Sequence, residues 1–213
     1  MATAAKIREA LYKAKAWAEK AEDKRKPNLA NQALAKVLSG EMKAVFTARR
    51  EDDIATALRI GKEFSFTPVI NFGTEAYLMR RQMKRTGAGV ILVPTMGRAV
   101  GKENENATVE AAAILKAADI PFVFSTGYEG YVPKSRVMLW EMAIAVANGL
   151  EAESAIKAAT IEPAKLWGVS GQIGSLEAGK DADILMFNGD PFEYKSHITG
   201  TMIEGKLLDE GAK

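Results

Sequence analysis

At 213 residues, with 47% hydrophobic and 26% charged side chains, the chain is long enough for one sizeable domain, or one domain with a small appendage. Its 29 Lys and Arg interleave with 27 Asp and Glu for a net charge of +2, so no basic footprint marks a nucleic-acid partner. Cysteine is absent and His197 is the only histidine, which excludes a disulfide framework, a thiolate metal site and a self-contained zinc site of two or three imidazoles.

The opening stretch MATAAKIREALYKAKAWAEK is charged and amphipathic, without the apolar centre of a signal peptide, and no apolar run reaches the about 18 residues of a membrane span. A cytoplasmic protein with no membrane partner is expected. Met1 leading directly into a helix is what a natural chain start would show. The apolar spacing of Ile7, Leu11, Tyr12 and Ala18 predicts a first helix from Ala4 to about Asp23, broken by EDKRKPNLAN. A second helix, about Leu29 to Leu38, stops at Ser39–Gly40.

A rhythm follows. Short apolar runs, AVFTA, TPVINF, GVILVP and PFVFS, recur at about 22- to 32-residue spacing. Each leads into a helical stretch: Asp53–Phe64, Thr74–Thr86, Thr108–Ala118 and Lys134–Asn148. Continuous apolar strands alternating with helices imply parallel βα units, and four are present. Beyond Gly149, LEAESAIKAATIEPAKLWGV predicts two short helices split by Pro163. The glycine-rich remainder holds short strands, ADILMFN and HITGTMIEGKLL, with turns at Asn188–Gly189 and near Glu204–Gly205. The chain thus divides into N-terminal helices (1–42), the βα part with its terminal helices (43–168) and a small β module (169–213).

Candidate sites gather at the strand ends. Gly174–Asp181, GSLEAGKD, matches a phosphate-loop spacing, but Asp181 stands where Ser or Thr is required and a strand follows instead of a helix. Turns leading into a strand explain it better. His197 sits in a loop, and a lone loop histidine is ordinarily not catalytic. In TARREDD, Asp52 or Asp53 is placed to cap a helix, whereas Arg49 emerges at the carboxyl end of a strand, the functional rim of βα folds. NFGTEAY and FSTGYEGY end two further strands, and their hydroxyls and aromatics serve either a small-molecule pocket or loop packing.

The segment AATIEPAKLWGVSGQIGSLEAGKDADILMFNGDP closely resembles the C-terminal signature of the metal-dependent amidohydrolase superfamily. Thr160, Pro163, Ala164, Gly168, Ile173, Gly174, Gly179, Lys180, Ala182, Asp183, Gly189, Asp190 and Pro191 carry the match. DDIATALRIGKEFSFTPVINFGTEAYLMRRQMKRTGAGVILVP resembles the second half of the barrel in the imidazolonepropionase-like branch, so the likeness runs from about Leu29 onward. It implies an α/β fold: half of a TIM-like βα barrel, with the small C-terminal β module belonging to a sandwich. Members about twice this length use a divalent metal, zinc among others, to hydrolyse cyclic amides and related C–N bonds.

The resemblance places the metal ligands at a His-x-His on the first strand and at groups on the fourth, fifth, sixth and eighth. The first strands have no counterpart in this sequence. Where the fifth carries His, this chain has Thr47; at the sixth, Phe72 or Asn71 replaces it; at the eighth, Gly127 replaces Asp. No cofactor is therefore expected, and hydrolysis is not either. Four βα units cannot close a barrel, so the outermost strands, AVFTA and PFVFS, are expected to pair with another copy or a partner chain, two copies supplying eight strands. Three other readings stand beside this one. The chain could be one subunit of a two-chain hydrolase, or part of a longer chain. It could also bind a small ligand, an anion being one candidate, with the rim of Thr47, Arg49, Asn71, Glu75, Thr126 and Tyr128.

Overall fold

The computed structural model describes residues 2–93, 101–127 and 137–208. Tyr128 and the start of the fourth expected helix lie outside these. Two helices open the chain, α1 (Ala2–Ala18) and α2 (Leu29–Ser39). The first ends at Ala18, earlier than its apolar pattern suggests, because Arg25 folds back to donate to the Ala18 and Lys20 carbonyls at 2.7 and 2.9 Å. The same guanidinium lies over the Trp17 ring. The Asn28 side chain caps α2 by accepting from Asn31 N–H, and Gly40, at φ 82°, ends it. This hairpin packs on α3 (Glu51–Glu63) through Leu11, Ile60 and Phe64. Arg8 donates to the Glu63 carboxylate at 2.6 Å, Tyr12 donates to it at 3.0 Å, and the Tyr12 ring meets Phe64 edge-on.

The centre is a parallel sheet of β1 (Val45–Ala48), β2 (Val69–Phe72), β3 (Val90–Leu92) and β4 (Phe122–Phe124), in sequence order. Strand order equal to chain order, with a helix returning after each strand, is the singly wound path of a βα barrel. The returning helices are α3, α4 (Arg80–Thr86, entered through a 3₁₀ turn at Ala76–Met79), α5 (Ala111–Ala117) and α6 (Met138–Ala147). Phe46, Ala48, Ile70, Val90, Leu92, Phe122 and Phe124 alternate onto the helix side and join Ile54, Met83, Leu115 and Met142 in one core. The alternate residues, Thr47, Asn71, Ile91 and Val123, form one register row on the opposite face, which would line a barrel's interior. The fold is therefore a half-barrel of four βα units.

Two helices continue it, α7 (Ala152–Ala159) and α8 (Ile161–Trp167). The break between them falls at Thr160, not at Pro163 as the sequence suggests. Pro163 sits in the first turn of α8, where its missing N–H costs no helical bond. The C-terminal module is an antiparallel sheet of β5 (Ile184–Phe187), β6 (Ile198–Ile203) and β7 (Lys206–Leu208). Glu204 and Gly205, both at positive φ, turn β6 into β7, and the Asp183 side chain accepts the Glu204 N–H at 2.9 Å. Apolar side chains remain open on this sheet: Leu185 is 51% exposed, Leu207 58% and Leu208 47%. No helix among the described residues is long and apolar enough to cross a membrane.

Candidate functional site

The carboxyl ends of β1 and β2 carry the polar groups of interest. Thr47 and Asn71 face each other in register, and the Asn71 amide donates to the Thr47 hydroxyl at 3.3 Å. Thr126, just past β4, is half-buried on the same rim. Directly after β1, the Arg49 guanidinium lies over the Phe72 ring at 3.6 Å from its centroid. Phe72 holds this position at φ 74°, a left-handed conformation rare for a bulky residue, and Gly73 follows at φ 51°. A β-carbon on Gly73 would stand 2.4 Å from Val90 Cγ1, so the strand-to-turn junction has no room for a side chain.

Arg49 meets Glu75 through the backbone, the Glu75 N–H donating to the Arg49 carbonyl at 2.8 Å, but its guanidinium is bound elsewhere. Its Nη1 donates to Asn104 Oδ1 at 3.0 Å and its Nε lies 3.4 Å from the Glu103 carboxylate, so its partners come from the segment after β3. Thr74 also reaches Asn104, at 3.5 Å. The polar run ENEN at 103–106 is the one sequence signal that could have pointed to this segment.

Glu75 has a structural use that corrects one expectation and adds to another. It is only 4% exposed, and one carboxylate oxygen accepts Glu51 N–H at 2.6 Å while the other accepts the Asn106 amide at 2.9 Å. It is not open to a ligand at the rim. It also shares the capping expected of Asp52 or Asp53: Arg50 occupies the N-cap position without a side-chain bond, Glu75 receives the Glu51 N–H, and Asp52 Oδ1 accepts the Asp53 N–H at 3.1 Å. Tyr77 completes the tie by donating to the Asn106 carbonyl at 2.9 Å. Burial first, and the Glu75 charge second, push the Tyr77 phenol above its ordinary value and keep it a proton donor.

The other sequence candidates lie apart from the rim. Lys180, in the phosphate-loop look-alike, is engaged by Ser175 and Glu177, and the strand β5 follows. His197 pairs with Asn188 in the C-terminal module.

A model of the amidohydrolase family matches residues 47–208. The chain belongs to this family. Among curated proteins, it is 32% identical over 75 residues to the imidazolonepropionase of Thermoplasma acidophilum, a stretch covering 35% of this chain and 18% of that enzyme. It is 35% identical over 69 residues to the adenine deaminase of Rubrobacter xylanophilus, covering 32% of this chain and 11% of that one. Among solved structures, an amidohydrolase from Thermotoga maritima MSB8 superposes with a TM-score of 0.90 at 30% identity, over 97% of this chain and 55% of that one. The chain thus spans about half the length of its structural relative.

The family's metal does not fit the residues present. At the three positions where the resemblance expects ligands stand a hydroxyl already bonded to Asn71, a phenyl ring under a guanidinium, and a glycine. Among the described residues, no group of three or more His, Cys, Asp and Glu could hold a metal ion. Gly127 is also closed to simple reversion, since it stands at φ 70° and a β-carbon there would lie 2.7 Å from Val93 Cγ1.

Proposed function

We propose that this chain is a metal-free member of its family, working as an assembly scaffold and a binder of small ligands and not as a hydrolase. The observation that carries this is Arg49: a fixed cation stacked on Phe72 occupies the rim beside the positions where ligands for a divalent metal would be needed. No cofactor is assigned to it, and neither nucleic acid nor membrane is among its proposed partners; its proposed location is the cytoplasm.

The scaffold role follows from the unfinished sheet. Among the described residues, a four-stranded arc leaves the outer edges of β1 and β4 without neighbours in the sheet order. On β1, Val45 and Thr47 are exposed on the face that a closed barrel would fill. A second copy or a partner chain carrying further βα units would pair with these edges, and two copies would supply eight strands. The enzyme names of the two curated relatives favour one second reading: a subunit of a two-chain hydrolase acting on cyclic amide C–N bonds.

One set of measurements separates the readings. The purified chain is equilibrated with zinc, dialysed, and examined for bound metal, for mass by light scattering, and for hydrolysis of a cyclic amide. Sub-stoichiometric zinc, no hydrolysis and an assembly larger than one chain are expected. Stoichiometric zinc with turnover would replace the scaffold reading by the two-chain hydrolase, and a stable, well-folded monomer would remove the assembly role.

A further inference from the structure

We propose that Arg49 is the anchor of a carboxylate-binding subsite, and that Glu103 of the same chain is its resident occupant, displaced when a small carboxylate with an apolar body arrives. This rests on the reading of the strand-end rim as a ligand-binding surface.

Three observations converge on it. The guanidinium is held in place before any ligand comes, its Cζ 3.6 Å from the centre of the Phe72 ring and its Nη1 tied to Asn104 Oδ1. A planar fork fixed in this way presents its remaining donors at little further ordering cost, which is how arginine recognises carboxylates. The positive φ of Phe72 is the conformation that accompanies this arrangement, and a bulky residue keeps such a conformation only where its surroundings impose it.

The second observation is the occupant. Glu103 approaches Nε at 3.4 Å while its side chain is 72% exposed and that of Arg49 is 25% exposed. An ion pair so open to water is weak and exchanges readily for another carboxylate. The contrast with Glu75 is instructive, because that carboxylate is buried with both oxygens bonded and cannot leave.

The third is what lies beside the anchor. The register row on the side away from the helices passes from exposed Thr47 and half-buried Asn71 to half-buried Ile91, polar next to β1 and apolar at β3, and ends at the buried Val123. A ligand whose carboxylate replaces Glu103 would lay its apolar part along that row as far as Ile91. Benzoate has this chemistry, and benzamide has the same shape without the charge.

The full-length chain is titrated with benzoate and with benzamide at constant ionic strength, following the Arg49 Nε–Hε signal and the backbone amides of Thr47, Asn71 and Thr126 by NMR. Wild type, Glu103→Gln and Arg49→Gln are compared. Benzoate is expected to shift the Arg49 signal, and Glu103→Gln to tighten binding about three- to tenfold, because the internal competitor no longer holds the site closed for part of the time. Arg49→Gln should abolish the benzoate response, and benzamide should produce none at Arg49. Equal affinities in wild type and Glu103→Gln would overturn the competitor role. Benzoate shifts at Thr47, Asn71 and Thr126 that survive Arg49→Gln would overturn the anchor and leave the rim as a binding surface. Silence of every rim signal in all three proteins would remove both readings together.

Discussion

The two sheets of this chain treat their apolar side chains in opposite ways. In the parallel sheet, Ile70 and Val90 are fully buried, sealed by helices on one side. In the antiparallel sheet, Leu185, Leu207 and Leu208 are about half exposed. Both sheets have paired strands, with a register shift at Met186/Phe187 in the antiparallel one, so strand pairing by itself does not account for the difference. It arises from what each sheet packs against. The βα path brings its own cover, because every crossover helix lands on the strand it follows. A three-stranded meander brings none, and among the described residues its leucines stay half open.

Core substitutions test this contrast most strongly. Ile70→Ala, in the middle of the covered sheet, should lower the unfolding free energy by about 3 to 4 kcal/mol, whereas Leu207→Ala should cost less than about 1 kcal/mol in the same urea titration. Equal losses would mean that the C-terminal sheet is covered after all. Next comes Gly73→Ala: a positive φ and a β-carbon 2.4 Å from Val90 Cγ1 together should cost about 2 to 3 kcal/mol, read from the same titration. A loss below about 0.5 kcal/mol would show that the strand end yields easily.

Glu75→Gln preserves shape but removes a charge that receives two donors, and should cost about 1 to 2 kcal/mol. Its signature is local. Amide exchange should quicken in the first turn of α3 and around Asn106, while β4 is unaffected. If the whole molecule loosened equally, the carboxylate would not be a tie between these two segments.

The smallest effect concerns the N-terminal hairpin. The hydrogen bond from Arg8, opposed by partial desolvation and helped by Tyr12, holds the Glu63 carboxyl below its ordinary 4.5. A carboxylate with a depressed value contributes stability above 4.5 and loses it as pH falls through the folded value. Tyr12 is shifted the other way: its bond to Glu63, the largest cause, raises the phenol, so its contribution is present below 10 and fades as pH rises through the folded value. Docking of α1 on α3 should therefore weaken slightly at both extremes, as seen in Trp17 fluorescence, and Arg8→Gln should blunt the acid limb.

Most of the fold was legible in the residues, because runs such as AVFTA and PFVFS carry the signature of strands buried between helices and the punctuation between them is clear. The four parallel strands and their helices appear where that pattern put them, with boundaries shifted by a few residues. The errors share a cause. A local acid is the usual cap, and Asp52 does accept the Asp53 N–H, but the Glu51 N–H is taken by Glu75, 24 positions away, which no local pattern announces. Pro163 looked like a breaker because its place within a turn is a matter of register, which one residue decides.

The sequence alone set which donors are available. One histidine and no cysteine exclude a site of several imidazoles or thiolates from this chain, and Thr47, Phe72 and Gly127 stand at the strand ends where the resemblance expects ligands. Tertiary structure alone decided what stands there instead. Whether Arg49 would pair with Glu75 or with Glu103 depended on where the segment after β3 folds back, and that is a contact across 54 residues that no local propensity encodes. The physical reason is that covalent identity sets which groups are available, while burial and distance set which of them bind one another.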